Sequence, residues 1–262
     1  MRLAFQDLSS SDAESLPVVV LHGLLGSSRN WQSAARDLAQ ARRVIVPDLR
    51  NHGESPWSDR MDFDALVDDV RELLDDLSIG RAAILGHSMG GKAAMRFACR
   101  HPDRVSALIT VDIAPRAYEA GSKELDAMAR LDLAQIESRR DAEERLAERI
   151  PDRATRQFLL TSLTRDQAAG GWRWKPNVHA LHASLADLRR SPLDPDDRFM
   201  GPTLVVAGGA SVFVAPEDHA TIRAHFPAAE IAVLEGVGHN VHVEAREAFV
   251  SLVQDFLGER PQ

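Results

Sequence analysis

Along the chain, short continuous apolar runs alternate with longer stretches in which apolar residues return every three or four positions. Val18-Val19-Val20-Leu21, Arg43-Val44-Ile45-Val46-Pro47, Ala82-Ala83-Ile84-Leu85, Val105 to Ile113, Thr203 to Ala207 and Glu230 to Leu234 belong to the first kind. Most are rich in β-branched residues and lack the polar alternation of a half-exposed strand, so they predict strands covered on both faces. Met1 to Leu8 differs, with Leu3 and Phe5 alternating with polar residues, and predicts a first, edge strand before a Ser/Asp/Glu-rich turn from Ser9 to Ser15. Phe63, Leu66, Val67, Val70, Leu73, Leu74 and Leu77 fall at helical spacing and predict a helix capped by Asp62 and stopped by Gly80. Asn30 is placed to cap a short helix holding Trp31, Ala34, Ala35 and Leu38, and Gly91 to Arg100 and Ala245 to Leu257 predict two more. Strand and helix in alternation predict an α/β protein, a mostly parallel sheet covered by helices on both faces.

From Ala114 to about Met200 the pattern changes. No strand is legible there, and helical stretches run over Lys123 to Ile136, Arg139 to Ile150, Ala154 to Leu163 and Val178 to Leu188. The expected organisation is a core of residues 1–113 and 201–262 carrying an all-helical insert over 114–200. No repeat, low-complexity tract or linker marks a second independent domain.

Composition narrows the classes. With 262 residues, 44% hydrophobic and 27% charged, the chain is neither disordered nor fibrous. A net charge of -8 and a pI near 5.7 leave no basic stripe for a nucleic-acid partner. Arg139-Arg140 and Arg189-Arg190 have acids beside them and read as solvated helix faces. The single cysteine, Cys99, has no internal disulfide partner and, beside Phe97 and Ala98, reads as a small core residue. Met1 to Pro17 holds no apolar stretch of signal-peptide length, and no run approaches the roughly 18 apolar residues of a membrane span, so the default expectation is cytoplasmic.

One pentapeptide carries chemistry. Gly86-His87-Ser88-Met89-Gly90 follows an apolar run and precedes a helical stretch, the arrangement of a nucleophile elbow in an α/β-hydrolase. The turn has to be so sharp that the residues two before and two after the serine must be small. Such a pattern also arises by chance in many chains, so the other residues decide. A serine hydroxyl needs a base, and the base needs a group to hold its tautomer. His239, in Gly236-Val237-Gly238-His239 after the last predicted strand, is the expected base. His242 lacks a third ligand of suitable spacing, so no metal site is expected, and His87, inside the elbow, is expected to point elsewhere.

For the acid, the commonest place is the loop after Thr203 to Ala207, which reads Gly208-Gly209-Ala210-Ser211-Val212-Phe213-Val214, with Ser211 where a carboxylate would stand. The strand after the elbow ends in Val111-Asp112-Ile113-Ala114-Pro115, and a carboxylate among apolar residues there is costly unless paired. Asp112 is therefore the expected acid. Glu217 and Asp218, which look like the first turn of a helix after Pro216, are the fallback. The backbone N–H groups of Met89 and Leu24 are the expected oxyanion donors, with Gly23 letting the backbone approach.

Four blocks, His22-Gly23-Leu24-Leu25-Gly26-Ser27, Asp48 to Pro56, Gly86 to Ala93 and Val111 to Pro115, with Gly171-Trp172-Arg173-Trp174-Lys175-Pro176-Asn177 in the insert, resemble the YbfF-type bacterial esterases and their mitochondrial abhydrolase relatives within the α/β-hydrolase superfamily. The resemblance implies a serine-esterase site under a helical lid that excludes water and shapes an acyl pocket. It also implies short acyl esters as substrates, leaves acyl-CoA thioesters open, supports Asp112 as the acid and implies no cofactor. The insert before Trp172 departs from the resemblance and leaves acyl length open. Rival readings are other serine-based chemistry of this fold (perhydrolase, carbon–carbon bond hydrolase or lyase) and a small-molecule receptor that keeps the triad. Ser88 argues against the dehalogenases and epoxide hydrolases, which place an aspartate at the elbow.

Overall fold

In the computed structural model, which describes residues 1–8, 15–119, 121–166 and 170–258, the apolar runs pair into one sheet. Its strands are β1 (Phe5–Leu8), β2 (Val18–Leu21), β3 (Val44–Pro47), β4 (Ala82–His87), β5 (Val105–Val111), β8 (Thr203–Gly208) and β9 (Ala229–Leu234), in the order β1-β3-β2-β4-β5-β8-β9. Every neighbouring pair is parallel except β1 with β3, where Phe5 faces Pro47. Strands β2, β3, β4 and β8 are buried along their whole length, whereas the edge strands β1 and β9 have no fully buried residue. Apart from Ser15, the turn expected over 9–15 lies outside the described residues.

Because successive strand residues point to opposite faces, the sheet builds two cores. Val18, Val20, Val44, Val46 and Leu85 pack against α1 (Gln32–Leu38) and α10 (Arg246–Gly258). Val19, Leu21, Ile45 and Ile84 pack against α2 (Phe63–Asp76) and α3 (Met89–Arg100), and Val205 and Ala207 lie in that same core with Ile222 of α9 (Asp218–His225). Asp62 caps α2, its carboxylate accepting from Ala65 N–H at 2.7 Å. The stop differs from expectation. Ser78, not Gly80, takes the left-handed conformation (φ 53°), and Ile79 N–H closes back on Leu74 C=O at 2.8 Å. Likewise, Asn30 does not cap α1: it lies within a tight turn over Ser28–Trp31, where its side-chain oxygen accepts from Ser27 N–H at 2.8 Å.

Between β5 and β8 lie α4 (Lys123–Arg130), α5 (Arg139–Ala147), α6 (Arg153–Leu160), α7 (Val178–Ala183) and α8 (Leu185–Arg189). They are not alone. An antiparallel hairpin, β6 (Leu163–Arg165) with β7 (Trp172–Trp174), corrects the all-helical expectation. Strands of three residues are too short to show a period of two, which is why none was legible. The helical stretch from Lys123 also ends early, at Arg130, where Leu131 turns extended (φ -75°, ψ 115°), and the stretch from Val178 breaks at Ser184.

This segment is fastened to the core by polar contacts. The Lys92 ammonium donates to the carbonyls of Leu188, Arg189 and Arg190 at 3.4, 3.1 and 2.5 Å. Arg96 reaches Pro192 C=O (2.7 Å), Trp57 Nε1–H reaches Lys175 C=O (2.9 Å), and Asn177 N–H reaches Asn51 C=O (2.9 Å). Among the described residues no helix is long and apolar enough to cross a membrane.

Candidate active site

Strand β4 delivers Ser88 to the carboxyl edge of the sheet in a strained backbone conformation (φ 51°, ψ -118°), and α3 starts at the next residue. The flanking glycines are sterically required: a Cβ on Gly86 would lie 2.2 Å from Gly90 C=O, and one on Gly90 would lie 2.3 Å from Leu21 C=O. Strand β5 runs parallel beside β4, so the residue after it emerges next to the elbow, and Ser88 N–H donates to Val111 C=O at 3.1 Å.

That residue is Asp112, also left-handed (φ 48°) and fully buried. Its Oδ1 accepts from Gly208 N–H at 3.0 Å, and its Oδ2 accepts from His239 Nδ1–H at 2.7 Å and from the Ser211 hydroxyl. Three donors give a buried carboxylate the partners it needs. Ser211, at the position where a carboxylate was expected, thus bonds to the carboxylate that stands elsewhere. Asp218 is occupied otherwise, paired with Arg116 at 2.8 Å and accepting from Ala215 N–H at 2.9 Å. Glu217 is exposed, and neither acid is a partner of His239.

The His239 ring is held on several sides. It stacks on Phe213 with centroids 4.0 Å apart, and the Glu244 carboxylate accepts from Gly238 N–H (2.7 Å) and Asn240 N–H (3.1 Å), one on either side of it. With Nδ1–H committed to Asp112, the tautomer leaves Nε2 with its lone pair. Contrary to expectation, His87 does not point away: its Nε2–H donates to His239 C=O at 3.0 Å, and the two rings lie 4.6 Å apart. Burial holds His87 well below the ordinary histidine range. His242 is buried flat against Trp31, centroids 4.0 Å apart, and burial lowers its pKa to about 3. Among the described residues no cluster of three or more histidine, cysteine or acidic side chains could hold a metal ion.

Ser88 and His239 line one cavity of about 880 Å³, into which Leu24 and Met89 also face. They form no hydrogen bond with each other. The backbone N–H groups of Leu24 and Met89 have no acceptor among the described residues, and Met89 opens a helix, where the dipole favours negative charge. Tyr118, Phe158, Leu185 and Leu188 supply walls from the segment between β5 and β8, so the cavity lies between that segment and the core.

Sequence reasoning missed Ser211 as a donor, Glu244, and Lys92, a cavity-lining cation only 2% exposed whose pKa burial lowers to about 7, with Arg189 and Arg116 adding. A lysine four residues after Ser88, on the otherwise apolar face of α3, was the available signal.

Residues 17–245 match the α/β hydrolase fold family. The chain is 35% identical over 262 residues to the sn-1-specific diacylglycerol lipase ABHD11 of Danio rerio, covering 96% of this chain and 81% of that protein. It is 31% identical over 246 residues to esterase YbfF of Escherichia coli, covering 93% of each. A solved structure described as a marine microorganism esterase superposes with a TM-score of 0.92 at 32% identity, over 97% of this chain and 99% of that one.

Proposed function

The chain belongs to the α/β-hydrolase family, and on that premise we propose that it is a serine esterase acting on small carboxylic esters through an acyl-enzyme. Ser88 Oγ attacks the ester carbonyl carbon while His239 Nε2 takes its proton. Asp112 keeps His239 in the needed tautomer and stabilises the imidazolium that forms. Negative charge developing on the carbonyl oxygen is met by the N–H groups of Leu24 and Met89. The tetrahedral intermediate collapses with the proton passing from His239 to the departing alkoxide. Water then repeats the sequence on the acyl-enzyme, giving up a proton to His239 and releasing the acid and Ser88.

The observation that carries this reading is the Asp112–His239 hydrogen bond at 2.7 Å beside a strained serine in the same cavity. On this reading the segment over 114–200 is a lid on a core of 1–113 and 201–262, and its apolar side chains hold the acyl chain. The relatives named esterase or lipase support ester hydrolysis as the reaction class.

Incubation with a fluorophosphonate followed by intact mass tests it: one adduct on the wild type and none on Ser88→Ala is the expected result. No adduct on the wild type, or an equal one on Ser88→Ala, overturns the reading. A panel of nitrophenyl esters and acyl thioesters of rising chain length then fixes the substrate class within it.

A further inference from the structure

Two buried histidines outside the triad, His22 and His52, are each bonded at both ring nitrogens, and every one of those bonds is to backbone. His22 Nδ1–H donates to Gly23 C=O at 2.8 Å, and its Nε2 accepts from Leu49 N–H at 3.0 Å. His52 Nδ1–H donates to Arg50 C=O at 2.8 Å, and its Nε2 accepts from Leu25 N–H at 3.2 Å. Both rings are fully buried and meet edge to face, centroids 5.0 Å apart. Each ring thus accepts from the other's loop, so the loops after β2 and β3 are bonded in both directions.

The consequence falls on one peptide plane. Gly26 N–H closes a tight turn on Gly23 C=O at 3.0 Å, and Leu25 sits in that turn at φ 62°, a value a leucine holds only when its surroundings impose it. In a trans peptide the carbonyl of Gly23 and the N–H of Leu24 point in opposite directions. Gly23 C=O is fixed by His22 and Gly26 on one side, so Leu24 N–H is left facing the other, and Leu24 lines the cavity. His52 fixes the next peptide through Leu25 N–H and so opposes the flip that would relieve the strained residue.

We propose that His22 and His52 are positioning residues that hold the Gly23–Leu25 turn in the one orientation that presents Leu24 N–H to the oxyanion. The proposal rests on the esterase reading above. Both acceptor roles require neutral rings, and burial lowers their pKa values to about 4 and about 3.

The test uses the whole chain with His52→Phe, which keeps the volume and removes the acceptor, and His52→Gln, whose amide oxygen restores one. His52→Phe lowers kcat on a nitrophenyl ester by about 10- to 100-fold, less than outright loss of an oxyanion donor. KM stays within about threefold, a trifluoromethyl ketone that forms the oxyanion weakens in step with kcat, and His52→Gln recovers most of both. A folded His52→Phe with wild-type kcat and ketone affinity overturns the proposal, as does equal loss in the Phe and Gln variants with KM raised in proportion. Should His52→Phe not fold, nitrogen-15 spectra of the wild-type imidazoles decide. Both rings are expected as the neutral Nδ1–H tautomer at pH 5.5, and a protonated ring or the Nε2–H tautomer there overturns the proposal. A wild type that takes no fluorophosphonate sinks the esterase reading and leaves these spectra unaffected.

Discussion

The two walls of the cavity are held by different means. On the core side, Asp112, His22, His52 and His87 are buried and bonded to groups fixed by the sheet and its loops. On the opposite side, the segment between β5 and β8 is fastened by Lys92, Arg96, Trp57 and Asn51, and Lys175 there pairs with an exposed Glu54. The difference teaches that the two walls rest on different contacts, joined at Lys92. Damage to the core wall should register in kcat, and damage to the fastening should register in KM.

The largest effect that would sharpen the contrast comes from Asp112→Asn. An amide N–H facing His239 Nδ1 forces the wrong tautomer, so kcat should fall about 10³- to 10⁴-fold with the fold intact, read from steady-state kinetics and near-UV circular dichroism. Asp218→Asn should leave kcat within about threefold, and the reverse pattern would move the acid to the loop after β8.

Acid should strike the core wall next. His22, His52 and His242 are lowered by burial to about 4, about 3 and about 3, whereas the histidines of the covering segment, His179 and His182, are exposed. As pH falls, the unfolded chain takes up their protons before the native one does. Their stability is complete above about pH 6.5 and is lost on the way down to pH 3–4, at about 2 kcal/mol per ring between pH 7 and 5. Urea midpoints at those two pH values check this, and a flat profile breaks the contrast.

Lys92→Met removes the cation that caps three carbonyls and should raise KM about five- to tenfold, with kcat within about threefold, and cost about 1–3 kcal/mol in a thermal melt. A fall in kcat with KM unchanged would mean the two walls are not separable. Smallest is Arg140→Ala, which breaks an exposed pair with Glu144 on α5 and should change stability by less than about 0.5 kcal/mol.

Legibility in the sequence follows the same division. The buried strands were readable because short apolar runs, most of them β-branched, alternate with longer stretches of helical spacing. Ser88, Asp112 and His239 were readable because the fold brings strand ends to one edge, and the structure brings those three positions together. The hairpin of β6 and β7 was not, since pairing across 163–174 leaves no local period. Nor were the partners of His22, His52 and His87, because an imidazole's tautomer is set by whichever backbone groups a distant loop happens to present. Ser78 was passed over for Gly80 because a left-handed serine is rarer than a glycine stop, although hydrogen bonding tolerates it.

Lys92 closes the connection between the two walls. It stands one turn beyond Ser88, its backbone N–H donating to Ser88 C=O at 3.0 Å while its ammonium grips the end of α8. The cover therefore hangs from the same helical turn that offers Met89 N–H. Any outward displacement of α8 must either break that grip or load the first turn of α3. Mechanically, the end of α8 and the turn at Ser88 share a single load path.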